Sequence, residues 1–302
     1  MTGGAKQEPA NKSIIEGEEL SFPVDQQPTP LNDLAQTQDG GFVLKPGFYE
    51  TEFKTYCLQP GTPDPSLRDA YLQSSVSGYR KEIVETILIN SKNKPDLQQR
   101  NIQLLLWSVV SGSDYNKLSY PVKLTAGELL TPKQIFELKG GVMGVVKTVS
   151  TGLASTGILG SNSDVKKLFD LGTSSYESFE KIAVLRETSK INRSDIKQNR
   201  WHKQNANYYL RYYPFGYQKV KIQVYVPGDK MDAEGKVDGE YIVFDPTGLQ
   251  AIPLNSNAQR LGIGAPVVEI LRTIINIEKT IDRRKPQQPT QPTKSKDPKA
   301  MS

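Results

Sequence analysis

Between residues 49 and 57 the chain alternates strictly: Tyr49, Thr51, Phe53, Thr55 and Cys57 fall on one face of an extended strand, and Glu50, Glu52 and Lys54 on the other. The spacing predicts a strand whose cysteine points toward a core. It ends just past that cysteine, because Gln59-Pro60-Gly61-Thr62-Pro63-Asp64-Pro65 holds three prolines, which remove backbone donors and favour turns. The period then changes. Over residues 79–91, Ile83, Val84, Ile87 and Leu88 form a helical apolar stripe with Arg80, Lys81, Glu82 and Glu85 elsewhere. A second helix is predicted from about Pro95-Asp96, with Asp96 as N-cap, and residues 102–110 are apolar around most of its circumference, as in a buried helix. Gln103 shares a face there with Trp107 and Val110.

After Gly112, Thr131-Pro132 opens a short helix that Gly140-Gly141 closes. From 140 to 161 only Lys147 is charged, which predicts an adaptable glycine-rich connector, packed within the monomer or at an oligomer contact. Helical signals return at 163–171 and at 175–186, where Tyr176, Phe179, Ile182 and Ala183 share a face, and a polar linker follows over 187–199. Strands are predicted at 208–213, at 218–226 (Val220, Ile222, Val224 and Val226 alternating with Lys221, Gln223 and Tyr225) and at 241–244. Turns at 229–239 and at Asp245-Pro246-Thr247-Gly248 make this a meander, and a broad apolar stripe predicts a last helix over about 266–284.

The expected fold is α+β: a strand-and-helix first half (39–186) packed with an antiparallel β-meander and a C-terminal amphipathic helix (200–284), between disordered ends at 1–38 and 285–302. With 302 residues, 36% apolar and 24% charged, the chain can bury one large or two modest cores. The net charge of +5 partly reflects a basic tail, and neither a zinc-ligand spacing nor an RNA-recognition motif accompanies it, so nucleic acid is not an expected partner. No apolar run of 18 residues predicts a membrane span, and no signal peptide is visible. A single cysteine excludes an intramolecular disulfide. That fits a cytoplasmic protein, and it equally fits an exported one, which Met1-Thr2-Gly3-Gly4 before a polar linker favours.

Candidate chemistry centres on Cys57 and Gln103. A carboxamide within an apolar helical run must find a partner or stay exposed. Tyr56-Cys57-Leu58 on a strand, followed by a helix with Gln103 and, four residues on, Trp107, resembles the thioester domains of Gram-positive surface adhesins over about residues 48–112. The resemblance implies that Cys57 attacks the Gln103 side-chain carbonyl, expels ammonia and leaves an internal thioester. A partner amine or hydroxyl then attacks it and becomes covalently attached. Tyr56 and Trp107 would support the pair, no cofactor is implied, and the place of action would be an extracellular surface. The chain departs from the family pattern at Ile102, where Thr is usual, and at Leu105, where Ala is usual. Leu105 is expected to crowd the strand-to-helix approach.

Other readings compete. Cys57 and Gln103 also suit a buried packing thiol and a turn-bonding amide. A tyrosine-rich stretch, with Tyr209, Tyr213 and Tyr217 as candidate ligand contacts, suits non-covalent binding of a glycan or protein surface, although tyrosine is also an ordinary strand residue. A Cys-dependent hydrolase would pair Cys57 with the only histidine, His202, and a lone histidine rules out a histidine-rich metal site.

Overall fold

The computed structural model describes residues 27–78, 80–140, 176–186, 196, 198–204, 208–228 and 242–267. In chain order the strands and helices are β1 (Thr29–Pro30), β2 (Phe42–Leu44), β3 (Gly47–Cys57), β4 (Thr62–Pro63), β5 (Tyr71–Ser74), α1 (Lys81–Ser91), α2 (Gln99–Ser111), α3 (Tyr120–Leu129), α4 (Pro132–Leu138) and α5 (Tyr176–Ala183). They continue with β6 (Val184–Leu185), β7 (His202–Lys203), β8 (Tyr209–Phe215), β9 (Lys219–Val226), β10 (Ile242–Phe244), β11 (Gln250–Pro253) and β12 (Leu261–Pro266). The architecture is mixed α+β, as the periodicities predict.

The main sheet has the order β5-β11-β12-β3-β9-β8-β7, with β1 added parallel to β3. β3 is its hub. Its N-terminal part pairs antiparallel with β9, from Gly47 opposite Val226 to Lys54 opposite Lys219, and its C-terminal part pairs with β12, ending at Cys57 opposite Leu261. The segments on either side of the polar linker therefore contribute neighbouring strands to one sheet. The sheet curls enough that the Tyr212 hydroxyl on β8 donates to Gln73 Oε1 on β5 at 2.7 Å, bringing its two ends together.

Alternation along β3 divides the interior. Phe53 and Cys57 join Leu210, Val220, Ile222 and Val224 in the core lined by the sheet. Tyr56, on the opposite face, joins Ile87, Leu88, Ile102, Leu105 and Leu106 in a second core formed with α1–α4. α2 serves both cores, with Leu105 and Leu106 in the helical one and Trp107 against the sheet.

Several expectations need correcting. Residues 27–38, expected to be disordered, join the fold: Leu31 is fully buried and β1 pairs with β3. α2 starts at Gln99, after an extended Gln98 with no side-chain cap, because the chain beyond α1 runs on in turns, including Leu97 N–H to Lys94 O at 3.1 Å, that leave Asp96 outside the helix. α3 was hidden by its weak pattern, in which Val122, Thr125, Ala126 and Leu129 face inward while Tyr120 and Leu124 are exposed. The predicted meander holds only for β8 and β9: β10 pairs instead with β2 in a separate two-stranded sheet, and β11 and β12 join the main sheet on the other side of β3. α4 forms as expected, with a capping box in which Gln134 Oε1 accepts from Thr131 N–H at 3.0 Å and Thr131 Oγ1 accepts from Gln134 N–H at 3.3 Å. The glycine-rich connector, the 163–171 helix and the 229–239 turn lie outside the described residues, as do the basic tail and the C-terminal helix beyond Pro266, which closes β12.

Candidate functional site

Odd-numbered residues at the end of β3 turn their backbone polar groups toward β9, as Thr55 N–H shows by donating to Gln218 O at 2.9 Å. The β3–β9 ladder stops there, so Cys57, two residues further on, has no strand on that side, while its neighbour Leu58 still bonds Arg260 O on the other at 2.8 Å. α2 fills the gap with side chains. Gln99 Nε2 donates to Thr55 O at 3.1 Å and to Gln218 O at 2.7 Å. One turn on, Gln103 Oε1 accepts from Cys57 N–H at 2.8 Å and Gln103 Nε2 donates to Cys57 O at 3.0 Å. Gln103 thus imitates a strand, and both of its polar atoms lie beside the Cα that carries the thiol.

Four residues beyond Gln103, Trp107 is fully buried, and its indole acts on the Cys57 thiol. Burial pushes that thiol up to about 12, against hydrogen bonds from the Trp107 side chain and the Gln59 main chain that draw it down. The indole stacks on Tyr176 at a centroid distance of 6.0 Å, and Tyr217 lies tilted at the same distance. Their hydroxyls hydrogen-bond each other, and the Tyr217 hydroxyl donates to Glu180 Oε1. Gln218 Nε2 donates to both hydroxyls at 3.2 Å. Arg186 donates to Glu180 Oε1 at 3.0 Å and also pairs with Asp64, whose other oxygen accepts from Tyr217 N–H at 3.1 Å. Burial raises Asp64 above the ordinary carboxylate range, opposed chiefly by the Arg186 charge.

A cleft of about 570 Å³ opens over this assembly, lined by Gln103, Tyr176, Tyr217, Gln218 and Arg100 among others. It leads from the surface to the carboxamide side of the Cys57–Gln103 pair.

Leu105 does not crowd the pair: it points into the helical core, and the strand and helix approach closely enough for both Gln103 bonds. Tyr56 is buried on the opposite face of β3, where its hydroxyl bonds Ser91. His202 does not approach the thiol. It pairs with Leu210, which pairs with Val224, which pairs with Tyr49, so it lies three strands across and at the far end of β3 from Cys57. Tyr209, Tyr213 and Tyr217 form no shared exposed platform: Tyr209 packs with Phe48, Trp201 and Tyr225, Tyr217 is buried at the cleft floor, and half-buried Tyr213 lies under Arg211 and Lys221.

Gln99, Asp64, Tyr176, Glu180 and Arg186 were not singled out as site residues. Gln99 could have been found, since it precedes Gln103 by one helical turn. Tyr176, Glu180 and Arg186 belong to one segment, on and just after α5, but only folding brings that segment to Trp107, Tyr217 and Asp64. The chain matches no protein-family model, no curated protein and no solved structure.

Proposed function

We propose that this chain is a non-enzymatic surface or assembly protein that attaches covalently to a protein or glycan partner through an internal thioester between Cys57 and Gln103. The observation that carries the reading is the double hydrogen bond that holds the Gln103 carboxamide against the main chain of Cys57, at 2.8 and 3.0 Å. The likeness of Tyr56-Cys57-Leu58 and Gln103 with Trp107 to the adhesin thioester domains supports it and implies an extracellular place of action.

In this reading the Cys57 sulfur attacks the Gln103 carbonyl carbon. Cys57 N–H already donates to Oε1, where negative charge develops. The thiol proton passes to the departing nitrogen, a C–S bond replaces the C–N bond, and ammonia leaves. When an acceptor from the cleft attacks the same carbon, the C–S bond breaks and the sulfur departs as thiolate. A thiol raised to about 12 is a poor leaving group, so the Trp107 hydrogen bond to sulfur has a direct role in this step.

Intact-mass measurement of freshly purified protein tests the reading. A deficit of one ammonia is expected, absent in Cys57→Ala and in Gln103→Ala. A full mass together with a freely titrating thiol in the unfolded protein sinks it.

A further inference from the structure

The hydroxyl pair above Trp107 ends on a carboxylate, and an inventory of protons gives it a direction. Tyr217 has one hydroxyl proton and donates it to Glu180 Oε1. In the bond between the two hydroxyls Tyr176 must therefore be the donor. The Tyr176 oxygen accepts from Gln218 Nε2 at 3.2 Å and keeps further acceptor capacity. Both tyrosines line the cleft that Gln103 lines. The charged groups around Glu180 are Arg186, bonded to it at 3.0 Å, and Asp64, held by the same guanidinium.

We propose that Tyr176, Tyr217 and Glu180 form a proton relay that serves a hydroxyl acceptor attacking the Gln103 carbonyl carbon of the thioester. The inference rests on the thioester reading and adds the chemical class of acceptor the site is built to use. As the acceptor oxygen bonds to the carbonyl carbon, its proton moves to the Tyr176 oxygen, the Tyr176 proton to Tyr217 and the Tyr217 proton to Glu180. The C–S bond breaks, and the Cys57 thiolate later takes up one proton, so the products are an ester, a thiol and a regenerated carboxylate. An amine brings a free lone pair to the attack. A hydroxyl becomes a sufficient nucleophile only as its proton leaves, so the relay matters most for hydroxyls. Tyr176 is the group that meets the acceptor, whereas Glu180 acts through Tyr217 and is a positioning residue.

The test uses the full chain as wild type, Glu180→Gln and Tyr176→Phe. Each protein is weighed, incubated with glycerol or with methylamine over a range of pH, and weighed again over time. All three should carry the ammonia deficit. Glycerol ester formation should fall by about 10²-fold or more in both variants, with methylamine addition changed by less than about tenfold. If the wild type has no deficit, the thioester reading fails and the relay with it. With the deficit present, a variant that esterifies glycerol at the wild-type rate overturns the relay alone. Equal losses with both nucleophiles also overturn it, because they indicate a collapsed cleft. A deficit lost only in the variants overturns it by assigning the cluster to formation of the bond. Tyr176→Phe, which removes one oxygen from a half-buried ring, decides the matter if Glu180→Gln does not fold.

Discussion

Gln103 stands to Cys57 as a strand stands to its neighbour: its Oε1 accepts from Cys57 N–H at 2.8 Å and its Nε2 donates to Cys57 O at 3.0 Å, where β9 has already turned away. The same two bonds satisfy a buried strand end and fix the Gln103 carboxamide against the main chain of the residue that carries the thiol.

Removal of that side chain strands two buried backbone groups. Gln103→Ala should cost about 2–4 kcal/mol in urea unfolding, since each unsatisfied group costs roughly 1–3 kcal/mol. Gln99→Ala, at the cleft rim where water can replace the amide, should cost less than about 1 kcal/mol. Equal costs would mean that the Cys57 end of the strand is not sealed from water.

Trp107→Phe keeps an aromatic ring beside Tyr176 and Tyr217 but removes the indole N–H that draws the Cys57 thiol down. The thiol should then move further above its ordinary range, and ammonia loss during refolding, followed by intact mass, should slow by roughly tenfold or more, as expected for a lost hydrogen bond to a charged group. An unchanged rate would remove the indole from the chemistry.

His202 is buried, and burial, reinforced by the Arg200 charge, lowers its imidazole to about 4 from 6.5. The unfolded chain therefore binds a proton that the folded one refuses between those two values. Stability is fully present above about 6.5 and declines as pH falls toward about 4, by on the order of 3 kcal/mol. Denaturant unfolding across this window should show the decline in wild type and a shallower slope in His202→Gln, whereas parallel slopes would contradict a neutral buried imidazole.

Gly264 of β12 leaves room for the ring that precedes the cysteine. A Cβ there would lie 2.7 Å from Tyr56 Cε2 and 3.3 Å from Ser91 Oγ. Both neighbours are buried and cannot swing into solvent. Gly264→Ala should cost about 1–3 kcal/mol in thermal or urea unfolding. A variant as stable as wild type would show that the Tyr56 ring can shift within the helical core.

The sequence by itself determined those features that depend on local period and local chemistry. The alternation from Tyr49 to Cys57 specified both the strand and the inward thiol, the 3.6-residue stripes specified α1 and the buried face of α2, and Thr131-Pro132 specified the capped start of α4. An inward Cys57 and a Gln103 amide in need of a partner were legible as well, whereas their pairing was expected only from the resemblance to the thioester domains. Only the tertiary structure decided what surrounds them. That β3 pairs with β9 on one side and β12 on the other depends on contacts between residues 165 to 213 positions apart, which no local period encodes. The same holds for Tyr176, Glu180, Arg186 and Asp64. Three of them share the segment of α5 and Asp64 follows β4, and they become one hydrogen-bonded cluster because these two segments and the turn before β9 converge over Trp107.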